Sequence, residues 1–271
     1  MDPVSTTVAV VEQADSASVV REYIVHHAMY HMADLDSWNV PFMHIRALDF
    51  FKYDGFMVVF SALLVVFLFG FLYNRRGDAV PHGLTNLLEV FVLFIRDQIS
   101  INFLGEKDGR RMAPLFCTFF FFILVMNLMG LCPLFSTATS NINVTGSLAG
   151  ITLAFMVIGS IYRNGFLGFL RVFAPKGVPW PILLILTPVE VISMFSKALA
   201  LTIRLFANML AGHILIFALL GLIVMFGAKA LPVIVIAVCI FFFELFVAFF
   251  QAYIFTLLSA VFIGQMYHPE H

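Results

Sequence analysis

Two apolar runs near the C-terminus, residues 182–226 and 231–266, constrain this chain more than any other feature. A helix crosses a bilayer in about 20 residues, so each run is too long for one upright crossing. The runs are expected to form two long, strongly tilted helices, joined near Gly227–Pro232 as a hairpin. Such stretches cannot be hidden from water in a chain of 271 residues. The whole sequence is 62% hydrophobic and 11% charged, whereas soluble domains are about 45–50% apolar and about 25% charged. Its mean hydropathy is +1.01. The solvent of this fold is therefore lipid. A net charge of −1 gives no reason to expect a nucleic-acid partner.

Three shorter apolar runs, 56–73, 113–135 and 147–162, bring the expected crossings to five. Residues 84–101 place Leu87, Leu88, Phe91, Phe94 and Ile95 at helical spacing, with Glu89, Arg96 and Asp97 between them. That pattern predicts an amphipathic helix on the membrane surface. The fold class is thus all-α, a polytopic membrane protein. Residues 1–50 form a polar N-terminal extension, and 51–271 form one membrane domain. The start of the chain lacks a charged n-region followed by an apolar h-region, so no cleavable signal peptide is expected. His26, His27, His31 and His44 fall in the extension with no metal-ligand spacing and are read as solvated. Cys117, Cys132 and Cys239 lie in or beside apolar runs and are read as packing residues. No metal or other cofactor is expected. Lys and Arg concentrate in 74–112 and 163–181, which together hold nine, against four in the opposite segments. The positive-inside rule then places the N-terminus outside and the C-terminus in the cytoplasm.

Charge inside the long runs carries the chemistry. The first holds Glu190, Lys197, Arg204, Asn208 and His213; the second holds Glu244 and Gln251. A charge at the bilayer centre costs about 3 kcal/mol on insertion scales, so intramembrane ionisable residues are functional candidates. Glu190, Lys197 and Arg204 are spaced by seven and share a helical stripe, each about 10 Å beyond the last. Asn208 lies one turn past Arg204 on the same face. His213, nine residues on, lies half a rotation away and about 13 Å further along. In an antiparallel hairpin, Gln251 at the level of Arg204 puts Glu244 near the level of His213. One permanent cation then stands between two carboxylate-bearing entries. Arg keeps its charge at ordinary pH and blocks a proton from passing straight between them. The plainer readings are that Glu190 and Lys197 neutralise each other or snorkel, and that His213 and Glu244 form a satisfied buried pair.

The stretch Arg204-Leu-Phe-Ala-Asn208-Met-Leu-Ala-Gly212-His213 resembles the signature of the F-type ATP synthase subunit a family, also called ATPase subunit 6. Phe249-Phe250-Gln251-Ala252-Tyr253-Ile254-Phe255 resembles its last helix, and Asn127-Leu-Met-Gly130 and Asn143-Val-Thr145 are further matches. The resemblance covers roughly residues 50–267. It implies a non-catalytic stator subunit whose hairpin, 182–267, translocates protons. Arg204 matches the essential arginine facing the carboxylates of the rotor c-ring, and Asn208 and Gln251 match polar residues beside it. Glu190 matches an acid of the cytoplasmic half-channel, and His213 and Glu244 match the outer one. Lys197 is a further candidate. The implied partners are the c-ring, the peripheral-stalk b subunits, the lipid bilayer and the translocated ion, H⁺ with Na⁺ as the alternative. The implied location is a bacterial inner membrane, ahead of a mitochondrial one. The extension 1–50 matches no family role. No GxxxxGK[ST] loop is present, so the chain itself is expected to bind no ATP. Rival classes are an independent channel or secondary transporter, for which no internal repeat is found, a purely structural membrane subunit, and a membrane enzyme, for which no nucleophile–base pair is found.

Overall fold

A computed structural model describes residues 53–72, 83–132, 138–173, 180–226 and 231–267. The polar extension with its four histidines lies outside the described residues. All the described elements are helical: α1 (Tyr53–Phe67, running on as a π-helical turn Leu68–Leu72), α2 (Leu84–Phe94, running on as π-helix Ile95–Ile101), α3 (Asn102–Leu131), a 3₁₀ turn Ala138–Ser140, α4 (Ile142–Val172), α5 (Trp180–Phe226) and α6 (Leu231–Tyr267). Four stretches are long and apolar enough to cross a membrane, namely Thr85–Leu131, Ile142–Phe166, Pro181–Ile223 and Leu231–Tyr267. A shorter apolar helix, Gly55–Gly70, accompanies them. An all-helical product is what lipid demands, since a helix pairs its backbone polar groups internally. The two over-long runs are two unbroken helices of 47 and 37 residues, as their lengths required.

Element boundaries depart from the hydropathy pattern in instructive ways. The segment 74–112, read as a connection bearing a surface helix, is helical from Leu84 onward and joins the next crossing directly. The join is at Gly105, where φ is 77° and ψ is 169°. That left-handed conformation is open to glycine and strained for other residues. Beyond it the chain folds back: Ser100 Oγ donates 2.6 Å to the carbonyl of Gly109. The second crossing ends at Leu131, four residues before its apolar run does. In α4, Gly165 (φ 73°) makes a similar break, yet the helix runs on to Val172 rather than stopping near Tyr162. Hydropathy marks the greasy part of a helix and is blind to turns that polar side chains can still support. Here Arg163 makes an ion pair with Asp108, which supports one such turn.

The apolar stripe expected on 84–101 also divides. Leu88 and Ile95 are buried and Phe91 half-buried, whereas Leu87 and Phe94 face outward. Phe91 packs on Phe120 of α3 and Phe249 of α6, with ring centroids 5.8 and 5.6 Å apart. The inner edge of α2 therefore lies on the α3–α6 seam. The core is built mainly from α3, α4, the first half of α5 and the second half of α6. Its largest buried side chains include Phe116, Phe120 and Phe255.

Candidate functional site

The hairpin positions every candidate residue. On α5 the buried stripe runs Met194, Ala198, Leu201, Thr202, Leu205, Met209 and His213, along one side of the helix. This face packs on the bundle. One step round the helix from Leu205, Arg204 points outward and is exposed. Among the described residues Arg204 makes no hydrogen bond or ion pair. Asn208, one turn on, is half-buried at the flank of the same face. His213 is buried at 8% exposure, its ring 6.3 Å from that of Phe217.

On α6 the buried stripe begins at Glu244 and continues through Ala248, Gln251, Ala252, Phe255, Thr256, Ser259, Ala260, Ile263 and Gly264. Small residues dominate it, as expected where helices approach closely in lipid without a hydrophobic drive between them. Glu244 is 7% exposed and both carboxylate oxygens are buried with no hydrogen-bond partner among the described residues. It lies directly against Gly212: a Cβ built there would overlap Glu244 Oε1. The structure therefore brings Glu244 beside the residue preceding His213. An unpaired carboxylate in such surroundings is expensive, so this group needs a proton, a cation or water as its partner. Gln251 is buried at 5% exposure, two turns along the same stripe.

At the other end of the hairpin, Lys197 Nζ donates 2.9 Å to Gln265 Oε1 and sits 5.5 Å from the Phe262 ring centroid. Lys197 thus turns toward α6 and does not neutralise Glu190. Glu190 is half-buried, two turns nearer the start of α5, and makes no ion pair among the described residues. The two α5–α6 contacts, Lys197 with Gln265 and Gly212 with Glu244, fix an antiparallel register that brings Gln251 within a turn or so of Arg204 and Asn208. Among the described residues no group of three His, Cys, Asp or Glu side chains could hold a metal ion.

Three contributors escaped the sequence reading. Gln265 falls 14 residues after Gln251 and 21 after Glu244, so a search for polar residues in heptad register would have found it. Gly212 stood inside the quoted motif, but its reason is visible only once α6 is packed against it. Asn127, also within a quoted motif, donates from Nδ2 to the carbonyl of Ala248 at 3.2 Å, while its Oδ1 is buried without a partner among the described residues.

Residues 55–264 match the family described as ATP synthase A chain. The chain is 46% identical to ATP synthase subunit a of Anaeromyxobacter dehalogenans over 218 residues, which cover 79% of this chain and 56% of that protein. It is 42% identical to that of Myxococcus xanthus over 228 residues, 81% of this chain and 75% of the relative. For Chloroherpeton thalassium the identity is 40% over 262 residues, 91% of this chain and 77% of the relative. The match thus spans little more than half the length of the Anaeromyxobacter protein and about three quarters of the other two.

Proposed function

The chain belongs to the ATP synthase A chain family, and on that premise we propose that it is the proton-translocating stator subunit a of a rotary F-type ATP synthase. The observation that carries this reading is the opposed placement of two intramembrane charges. Arg204 faces out of the bundle with no partner among the described residues, and Glu244 faces in with none. An outward cation in lipid calls for an anion supplied by another subunit. A c-ring carboxylate meets that need when it has lost its proton, and it can leave toward lipid once re-protonated and neutral. The inward carboxylate, beside Gly212 and His213, accepts and releases protons on the outer side. Glu190 does so on the cytoplasmic side, with Asn208 and Gln251 near the cation and Lys197 near the cytoplasmic entry.

The mechanism follows from these positions. Protons reach the rotor through one half-channel and leave through the other, and the permanent charge of Arg204 bars a direct route between them. Each elementary charge crossing is worth about 2.3 kcal/mol per 100 mV; many such steps, geared together, drive ATP formation at a site on other subunits. The remaining partners are the peripheral-stalk b subunits, and the location is a bacterial inner membrane with the N-terminus outside and the C-terminus in the cytoplasm. The decisive experiment replaces Arg204 by Ala in the assembled complex and measures ATP-driven proton pumping in inverted vesicles, with assembly checked by immunoblot. Normal assembly with pumping abolished is the expected result. Normal pumping would sink the mechanism.

A further inference from the structure

The small residues in the buried stripe of α6 would by themselves fit more than one register. Ala248, Ala252, Thr256, Ala260 and Gly264 repeat a small residue every four positions, and all are buried. A slip of four residues keeps the small face turned to the bundle and moves the helix by about 6 Å. Lipid gives no hydrophobic preference between the two registers. Yet such a slip would carry Glu244 away from Gly212 and Gln251 away from the Arg204 turn.

Polar contacts at the end of α6 distinguish the registers. Ser160 Oγ donates 2.9 Å to the carbonyl of Met266. Asn164 Nδ2 donates to the carbonyls of Met266 and Tyr267 at 3.2 and 3.4 Å. The last carbonyls of a helix lack intrahelical donors, so they mark the helix end as no mid-helix group can. Arg163 lies 5.8 Å from the Tyr267 ring centroid and makes an ion pair with Asp108 of α3. Asp108 retains 15% side-chain exposure and Arg163 32%. Gly159 leaves the room that the Tyr267 ring occupies, since a Cβ there would meet that ring. Further along, Thr152 and Ser259 share a buried hydroxyl hydrogen bond of 3.1 Å.

We propose that Asp108, Arg163 and Tyr267, with the caps from Ser160 and Asn164, are positioning residues that latch the end of α6 and so set the height at which Glu244 and Gln251 meet α5. The proposal rests on the ion-path reading above. None of the five residues is placed in the path itself; each acts through the register of one helix.

The test uses the assembled complex in inverted membranes, with Cys117, Cys132 and Cys239 replaced by Ser. Register is read by oxidative cross-linking of Thr152→Cys with Ser259→Cys, against Thr152→Cys with Phe255→Cys or Ile263→Cys, the partners in a slip of four. Coupling is read as ATP-driven proton pumping per assembled complex. In Arg163→Ala the 152–259 cross-link is expected to fall severalfold while a slipped pair gains, and pumping per complex to fall about tenfold, the scale of a displaced reacting group. The conservative Arg163→Lys, which keeps a cation for both Asp108 and the Tyr267 ring, is expected to restore both to within about twofold. Pumping that falls only in proportion to the amount of complex, or without any change of cross-link, overturns the latch. A changed cross-link with pumping intact overturns its link to the ion path. If Arg163→Ala prevents assembly, Tyr267→Leu, which leaves the ion pair in place, decides on the same two readouts. Failure of the ion-path reading is recognised separately, by normal pumping in Arg204→Ala with the latch intact.

Discussion

The outward face of the hairpin and its inward face treat charge in opposite ways. Outward, Arg204 stands among exposed apolar side chains such as Ile203 and Leu199, at 48% and 59% exposure. Inward, Glu244 and Gln251 are buried in a stripe of small residues. Each face leaves one charge-bearing group without a partner among the described residues, but the space around the two differs. Arg204 has room for a macromolecular partner. Glu244, buried and pressed against Gly212, is out of reach of a macromolecular partner. The difference teaches that incompleteness is specific: on the function proposed above, one face is finished by another subunit and the other by the transported species.

Moving the cation inward should do the most damage. Leu205 is fully buried one step round the helix from Arg204. Leu205→Arg places an unpaired charge in the packed face, at a cost of several kcal/mol. Immunoblots of membranes should then show the assembled complex lost, whereas Arg204→Ala should leave it intact. Equal assembly of the two variants would erase the distinction between the faces. Next comes Glu244→Gln, which keeps the shape of the inward group and removes its ability to take up a proton. ATP-driven pumping should fall about a hundredfold at normal assembly, the lower end of what lost acid–base participation costs. Undiminished pumping would make the inward carboxyl a packing residue.

A smaller loss, about tenfold, is expected for Gly212→Val, because the new side chain must displace the Glu244 carboxylate. Gly212→Val combined with Glu244→Ala should assemble better than Gly212→Val alone, and absence of that rescue would mean that the contact is unimportant. The mildest effect belongs to Lys197→Met. It removes the hydrogen bond to Gln265 and the contact with Phe262, interactions worth about 1 kcal/mol. A change of about twofold in pumping is expected, and a complete block would promote Lys197 into the essential path.

Much of this was legible in the sequence. The lengths of the two long runs required two long helices, and the heptad spacing of Glu190, Lys197 and Arg204 set them near one stripe. The outward or inward fate of each polar residue was not legible. In α6 almost every position is apolar, so hydropathy has no period from which to choose a buried face. The small residues at 248, 252, 256, 260 and 264 carry that choice, and they act only against a neighbour. Likewise nothing in a hydropathy trace foretold the reversal at Gly105 or the continuation of α4 past Arg163, because the first lies in a single backbone conformation and the second involves a polar side chain whose partner, Asp108, is 55 positions earlier in the chain.

What the sequence determined by itself was the solvent, the all-helical class and the inventory of charges, since these depend on composition and on distances along the chain. What only the tertiary structure decided was which charges meet a partner. Lys197 meets Gln265, Arg163 meets Asp108, Glu244 meets the flat surface of Gly212, and Arg204 meets no group among the described residues. The physical reason is that burial and pairing of a polar group in lipid depend on which helix lies beside it and at what height, and both are properties of packing between segments far apart in the chain.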